Sequence, residues 1–298
     1  MRRPQIAAGA RVALIAPAGP LRGELDLNRA IENVRSLGWT PHAAPHVLAR
    51  EGYLAGTDAL RLADINAALV DDSIDAVWCI RGGYGMMRVL ETIEYAALRR
   101  RPKPIIGYSD VTALHSAIAT RCEVVSFHGP TARGVLTPFS RRSLECALTG
   151  GDSCGVAESA DTLHAGRARG RLVGGNLALL CALSGTPFAP SYDDAILVVE
   201  DVNEAVYRID RMLTQLRLAG ALARCKGLVF GQFTDIPGDS PEESLGARTL
   251  KDVLSEVAAA LRIPCIAGAP VGHIADQWTL PLGADAEIDA DARTLRIL

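Results

Sequence analysis

No stretch of this 298-residue chain approaches the roughly 18 consecutive apolar residues needed to cross a bilayer. An excess of either charge is missing too. The 31 Lys and Arg against 34 Asp and Glu leave a net charge of −3, so neither nucleic acid nor an anionic membrane surface is expected as a partner. Short basic knots at 99–101 and 141–142 read as solvated surface. Arg2 and Arg3 could open a secretion leader, but Arg11 interrupts the apolar stretch that follows and Pro17 with Gly19 ends it. Paired cysteines are lacking: the seven (79, 122, 146, 154, 181, 225, 265) are odd in number, scattered and without a CxxC. They read as small core residues in a reducing compartment, and a cytoplasmic protein is expected. No Cys, His or Asp cluster has metal-ligand spacing, so neither a metal nor another cofactor is expected. Neither a G-x-G-x-x-G run nor a Walker lysine motif occurs, and there is no internal repeat or low-complexity segment.

What remains is an ordinary globular composition of a length that suits two domains or one large one. In the first half, short apolar runs at 12–16, 76–80 and 104–106 read as strands. They alternate with helical spacing at 27–37, 58–69 and 111–119. Continuous apolar strands between amphipathic helices predict a mostly parallel sheet covered on both faces. Between about 138 and 170 no period is sustained, and the domain connection is expected there. The second half resumes with strands at 169–173, 195–199 and 228–230 and helices at 176–183, 206–218 and 250–261. A terminal hairpin, 286–289 with 294–298, turns at Asp291 and Ala292.

Polar residues at strand ends carry the chemistry, because ligands of open α/β sheets bind beyond the carboxyl ends of the strands. Residues 104–112 (Pro-Ile-Ile-Gly-Tyr-Ser-Asp-Val-Thr) take a buried strand through Gly107 almost directly into a helix, leaving Ser109 on the sharp turn. That is the geometry of a nucleophile elbow, although Val111 stands where G-x-S-x-G requires glycine. The alternative is that Ser109 or Asp110 simply caps the helix. Residues 80–85 (Ile-Arg-Gly-Gly-Tyr-Gly) form a glycine-rich turn whose amides could line an anion nest. Glu200 ends the apolar run 196–199, where a carboxylate is costly unless paired. His273 follows a glycine in a charge-poor segment, and His128, in Phe-His-Gly-Pro at 127–130, is its rival as a base. Each of these residues also has a purely structural reading.

Together these segments resemble the LD-carboxypeptidase family of serine peptidases, whose members include murein tetrapeptide carboxypeptidases and microcin-immunity peptidases. The resemblance runs almost end to end. It covers 16–20, 52–56, 80–85, 106–112, 127–130, 172–177, 199–202, 207–213, 231–235 and 272–273. It implies a flavodoxin-like N-terminal domain with a parallel sheet, residues 1–140, carrying the nucleophile. A linker at 141–168 and a smaller α/β C-terminal domain, 169–298, would follow, with the active site between the domains. It implies Ser109 as nucleophile, Glu200 as the triad carboxylate and His273 as base, with backbone amides of Gly83 and Asp110 as oxyanion donors. Arg81, Tyr84, Asn176 and Arg208 are candidates for binding the substrate. The implied substrate is a murein tetrapeptide losing its terminal D-alanine in cell-wall recycling, and the implied assembly is a homodimer. Two alternatives stand beside it. One is a peptidase of toxic peptidyl-nucleotides, for which Phe188 and Tyr192 at 185–192 are the aromatic residues on offer. The other is a non-catalytic module using Gly82 and Gly83 as an anion nest.

Overall fold

A computed structural model describes residues 1–237 and 248–298. The first half builds five parallel strands: β1 (Arg11–Ile15), β2 (Thr40–Ala43), β3 (Ala76–Cys79), β4 (Ile105–Gly107) and β5 (Ser126–His128). Helices α1 (Glu24–Ser36), α2 (Asp58–Val70), α3 (Tyr95–Arg100) and α4 (Thr112–Cys122) lie between them. The interior strands are buried, β3 and β4 along their whole length and β1 from Val12 onward, because helices cover both faces. Their spatial order, 2-1-3-4-5, is the flavodoxin-like order. Helix α2 starts where Thr57 accepts the Leu60 N–H, a side-chain cap that satisfies one orphan amide of the first turn.

The stretch 138–170, expected to lack periodic structure, is ordered. It holds α5 (Pro138–Leu148), β6 (Gly155–Val156) and β7 (Asp161–His164). Thr137 caps α5, and Pro138 opens it. Its buried stripe is Ser140, Ser143, Leu144, Ala147 and Leu148. Two of the five are serines, so hydropathy alone hides the helical period. Both hydroxyls are spent on chain that follows residue 273: Ser140 donates to the Ala275 carbonyl at 2.7 Å and accepts the Gln277 N–H at 2.9 Å, while Ser143 accepts the Thr279 N–H at 2.8 Å.

The second half adds β8 (Arg167–Asn176), α6 (Leu177–Leu183), β9 (Ala195–Val202), α7 (Val206–Leu218), β10 (Gly227–Thr234), α8 (Leu250–Leu261) and β11 (Cys265–Ala267). Then come β12 (Leu280–Leu282), β13 (Asp285–Asp289) and β14 (Thr294–Ile297), the last two forming the expected hairpin. The second sheet runs β6-β14-β13-β8-β9-β10-β11-β7, with a parallel centre from β8 to β11 and antiparallel flanks. β12 does not join it. It crosses back to the first sheet and pairs antiparallel with β5, Leu280 opposite His128. Helices α6, α7 and α8 pack Leu180, Leu213 and Leu254 with Val199 and Phe230 into a second core. The seven cysteines are free, five of them buried. Among the described residues no helix is long and apolar enough to cross a membrane.

Candidate active site

β4 ends at Gly107, Tyr108 is extended, and Ser109 takes φ +64°, in the left-handed region. A non-glycine residue held there costs about 1–3 kcal/mol, strain typical of functional turns. A short 3₁₀ turn, Ser109–Val111, then leads into α4. Gly82 presses on this turn: a Cβ at 82 would lie 2.9 Å from Ser109 Cβ and 3.2 Å from its Oγ. Only glycine lets the 80–85 loop approach so closely. Neither Ser109 nor Asp110 caps the helix through its side chain. The buried Asp110 carboxylate accepts the Met86 N–H at 2.8 Å instead, which ties the elbow to the end of the same loop. Burial pushes its pKa up to about 6, against the Met86 hydrogen bond and the nearby Arg61 charge. Arg61, itself buried, donates to the carbonyls of Pro17 (2.6 Å) and Gly85 (2.9 Å), which joins the loops after β1 and β3.

Glu200 does not end its strand as expected, because β9 continues through Val202. The pairing with β10 slips between Phe230 and Phe233, opposite Glu200, and a bulge of this kind re-aims a side chain. Glu200 is fully buried, and its Oε2 lies 2.8 Å from Nδ1 of His273, whose side chain is 19% exposed. A carboxylate can only accept, so Nδ1 of the neutral ring carries the proton and Nε2 keeps its lone pair. Gly272, at φ +123°, makes the approach feasible: a Cβ there would stand 3.0 Å from Glu200 Oε2. The other carboxylate oxygen, Oε1, is buried with no partner among the described residues.

The elbow and the Glu200–His273 pair share one neighbourhood. The Tyr108 ring, one residue from Ser109, lies 4.8 Å from the His273 ring. Across the seam, the Asn176 N–H donates to Thr112 Oγ1 at 2.9 Å. His273 is held by Glu200 and forms no hydrogen bond to Ser109. His128 is fully buried, 5.9 Å from the Tyr108 ring, and neither ring nitrogen has a partner among the described residues. Burial, then the neighbouring His115 and His273, pushes its pKa down to about 3. It lacks the carboxylate that orients His273.

The remaining candidates are dispersed. Gly83 adopts φ +110° beside Gly19. The Arg81 guanidinium turns back to the Pro20 carbonyl. Tyr84 is exposed and meets Tyr53 edge to face at 5.4 Å. The Asn176 side chain is occupied twice, accepting the Leu179 N–H at the start of α6 and donating to Asp201 at 2.8 Å. Arg208 is exposed on the outer face of α7 with Glu204, 3.5 Å away. Phe188 and Tyr192 are buried, and Phe188 is covered by the Arg121 guanidinium. Two polar side chains of this region were not singled out in the sequence: Tyr108, whose ring meets that of His273, and Arg133, whose N–H donates to the Ile80 carbonyl at the start of the 80–85 loop. Both follow strand ends, and scanning every β-strand exit for polar side chains would have found them.

Residues 12–129 match the LD-carboxypeptidase N-terminal domain, and residues 169–288 match the LD-carboxypeptidase C-terminal domain. The murein tetrapeptide carboxypeptidase of Pseudomonas aeruginosa is 35% identical over 296 residues, spanning 94% of each chain. The muramoyltetrapeptide carboxypeptidase of Oxalobacter formigenes is 32% identical and superposes with a TM-score of 0.85, covering 97% of this chain and 98% of that one. A microcin C7 self-immunity protein superposes at 0.88 over 99% of this chain and 98% of its own, with 23% identity, a likeness of fold.

Proposed function

This chain belongs to the LD-carboxypeptidase family, and from that premise we propose that it is a serine peptidase hydrolysing the bond before the terminal D-alanine of murein tetrapeptides. The observation that carries the reading is the buried Glu200 holding His273 at 2.8 Å beside a serine at φ +64°. In this reading Nε2 of His273 takes the Ser109 proton as Oγ attacks the carbonyl, then returns it to the leaving amine. Glu200 fixes the tautomer and stabilises the imidazolium. Backbone amides of Gly83 and Asp110 receive the oxyanion, which the close approach of the 80–85 loop to the elbow favours.

The same activity in the Pseudomonas and Oxalobacter relatives supports the substrate class. Burial of Phe188 and Tyr192 leaves neither ring free to stack on a nucleotide base, which favours a murein peptide over a peptidyl-nucleotide. Seven free thiols suit a reducing compartment, where the enzyme would trim peptides recovered from the wall. The test is incubation with a muramyl tetrapeptide, read by mass. Loss of one alanine by the wild type and none by Ser109→Ala is expected. Turnover by Ser109→Ala at even a tenth of the wild-type rate would remove Ser109 from the mechanism.

A further inference from the structure

Four arginines, Arg22, Arg50, Arg81 and Arg133, gather around Asp26, the Pro20–Leu21 turn and the start of the 80–85 loop. Among the described residues a single carboxylate pairs with them. Buried Asp26 lies 3.2 Å from Arg22 and 3.4 Å from Arg133. Arg50 and Arg81 make no ion pair among the described residues and donate instead to the carbonyls of Leu21 and Pro20. Asp26 remains charged: burial works against ionisation, but hydrogen bonds from Arg22 and the charge of Arg133 outweigh it. Arg81 is less basic than an ordinary arginine because of burial and then the charges of Arg133, Arg22 and Arg50, with Asp26 opposing. Arg22 and Arg50 are exposed and screened by water, but Arg81 and Arg133 are partly desolvated, and holding two such cations together is costly unless an anion completes the site.

Arg133 joins the cluster to the 80–85 loop, which packs on the elbow through Gly82. Its segment ties together the ends of the strands flanking β4: the Ala132 N–H donates to Cys79 at 3.0 Å and the Arg133 N–H to Ile80 at 3.4 Å. Asn33 fixes the segment from behind, donating to the carbonyls of Ala132 (2.7 Å) and Gly134 (2.8 Å). The Arg133 side chain is only 25% exposed, and its Nε is buried without a partner among the described residues. Its charge also reaches Tyr108. Burial and the Glu200 charge raise the pKa of that phenol, and Arg133 opposes them.

We infer that Arg133, backed by Arg81, receives the free α-carboxylate of the residue to be released, so that the chain cuts only the last peptide bond. This rests on the proposed peptidase reading and adds a specificity determinant to the same site. A guanidinium fork matches a carboxylate in two hydrogen bonds, whereas a C-terminal amide offers one acceptor and would aim its own donors at the cation.

The experiment compares tetrapeptides ending in D-Ala free acid and D-Ala amide, with wild type, Arg133→Gln, Arg133→Lys and Arg81→Gln. Wild type should prefer the acid by on the order of 10²-fold in kcat/KM. Arg133→Gln should lose most of that preference by slowing far more on the acid than on the amide, and Arg133→Lys should recover part of it. Equal slowing on acid and amide overturns the assignment. So does a preference that survives in Arg133→Gln, or one that follows instead the carboxylate of a diaminopimelate in the third position when lysine replaces it. If Arg133→Gln does not fold, the wild-type ratio and Arg81→Gln decide by the same criteria. If wild type cleaves neither peptide, the peptidase reading falls. The subsite is then tested by NMR titration with N-acetyl-D-alanine and its amide: acid-selective binding lost in Arg133→Gln upholds it, and unselective or absent binding by wild type overturns it.

Discussion

Replacing His128 with phenylalanine separates the two histidines near the elbow and tests the burial argument directly. His128 and His115 are both fully buried, with pKa values pushed down to about 3 and about 4, chiefly by burial. A histidine whose native pKa is depressed contributes stability that is fully present above its unfolded value, near 6.5. That contribution is lost as pH falls toward the native value, because the unfolded chain binds a proton that the native one refuses. Between pH 6.5 and 5 this amounts to about 2 kcal/mol for each ring, so together they should remove about 4 kcal/mol between pH 8 and pH 5, a large part of a typical 5–15 kcal/mol. His115 differs in keeping two hydrogen bonds, to Gly107 and Ser126. His128→Phe removes two unpartnered nitrogens, so it should hold or raise stability at pH 8 and halve the loss at pH 5. Urea unfolding at the two pH values measures this. In the same variant kcat/KM should stay within a few fold and keep its acid limb, since His273 is untouched. An unchanged pH dependence of stability would refute the burial argument. Loss of the acid limb of the rate profile would pass the role of base to His128.

Three further outcomes follow from the geometry. Ser109→Gly should abolish turnover, by on the order of 10⁶-fold, while raising stability by about 1 kcal/mol through relief of the left-handed backbone. Thermal unfolding checks it, and a drop in Tm would mean that the turn is not strained. Glu200→Gln should cost roughly 10⁴-fold in kcat, because an amide can select the wrong His273 tautomer; a loss under tenfold would show that the 2.8 Å contact is incidental. Asp110→Asn keeps an acceptor for the Met86 N–H but cannot ionise. The native pKa near 6 favours the neutral acid, so the wild type holds that stability below about 3.8 and loses up to about 3 kcal/mol as pH rises through 6. The variant should therefore be more stable than wild type at pH 8, and a decrease there would mean that the charge is needed.

Much of the architecture could be read from apolar runs, since the buried strands of a covered parallel sheet are continuous and unmistakable. Val206–Leu218 and Leu250–Leu261 were expected with the bounds they have. Where polar atoms do the packing, the pattern failed. α5 was invisible because serines occupy two positions of its buried stripe, each satisfied by a partner more than a hundred residues away. The end of β9 was set too early because Glu200 and Asp201 look like strand terminators, yet a histidine and backbone amides hold them inside the sheet. Ser109, Glu200 and His273 could be singled out individually from strand ends, but their grouping required the family resemblance. Arg133 stayed hidden because its partners, Asp26 and the end of β3, are remote in sequence and reach it only through strand order.

The return of β12 to the first sheet has a consequence for how the molecule is made. β5 is flanked by β4 on one side and by Leu280–Leu282 on the other. As the chain leaves the ribosome, β5, with Phe127 at its centre, therefore presents an open sheet edge until some 150 further residues have been made. The segment that closes that edge follows His273 by only seven residues and is clamped on the way by the α5 serines. Sealing the sheet that carries Ser109 and delivering His273 are thus one assembly event, and a chain stalled before it exposes an adhesive strand with His273 not yet in place.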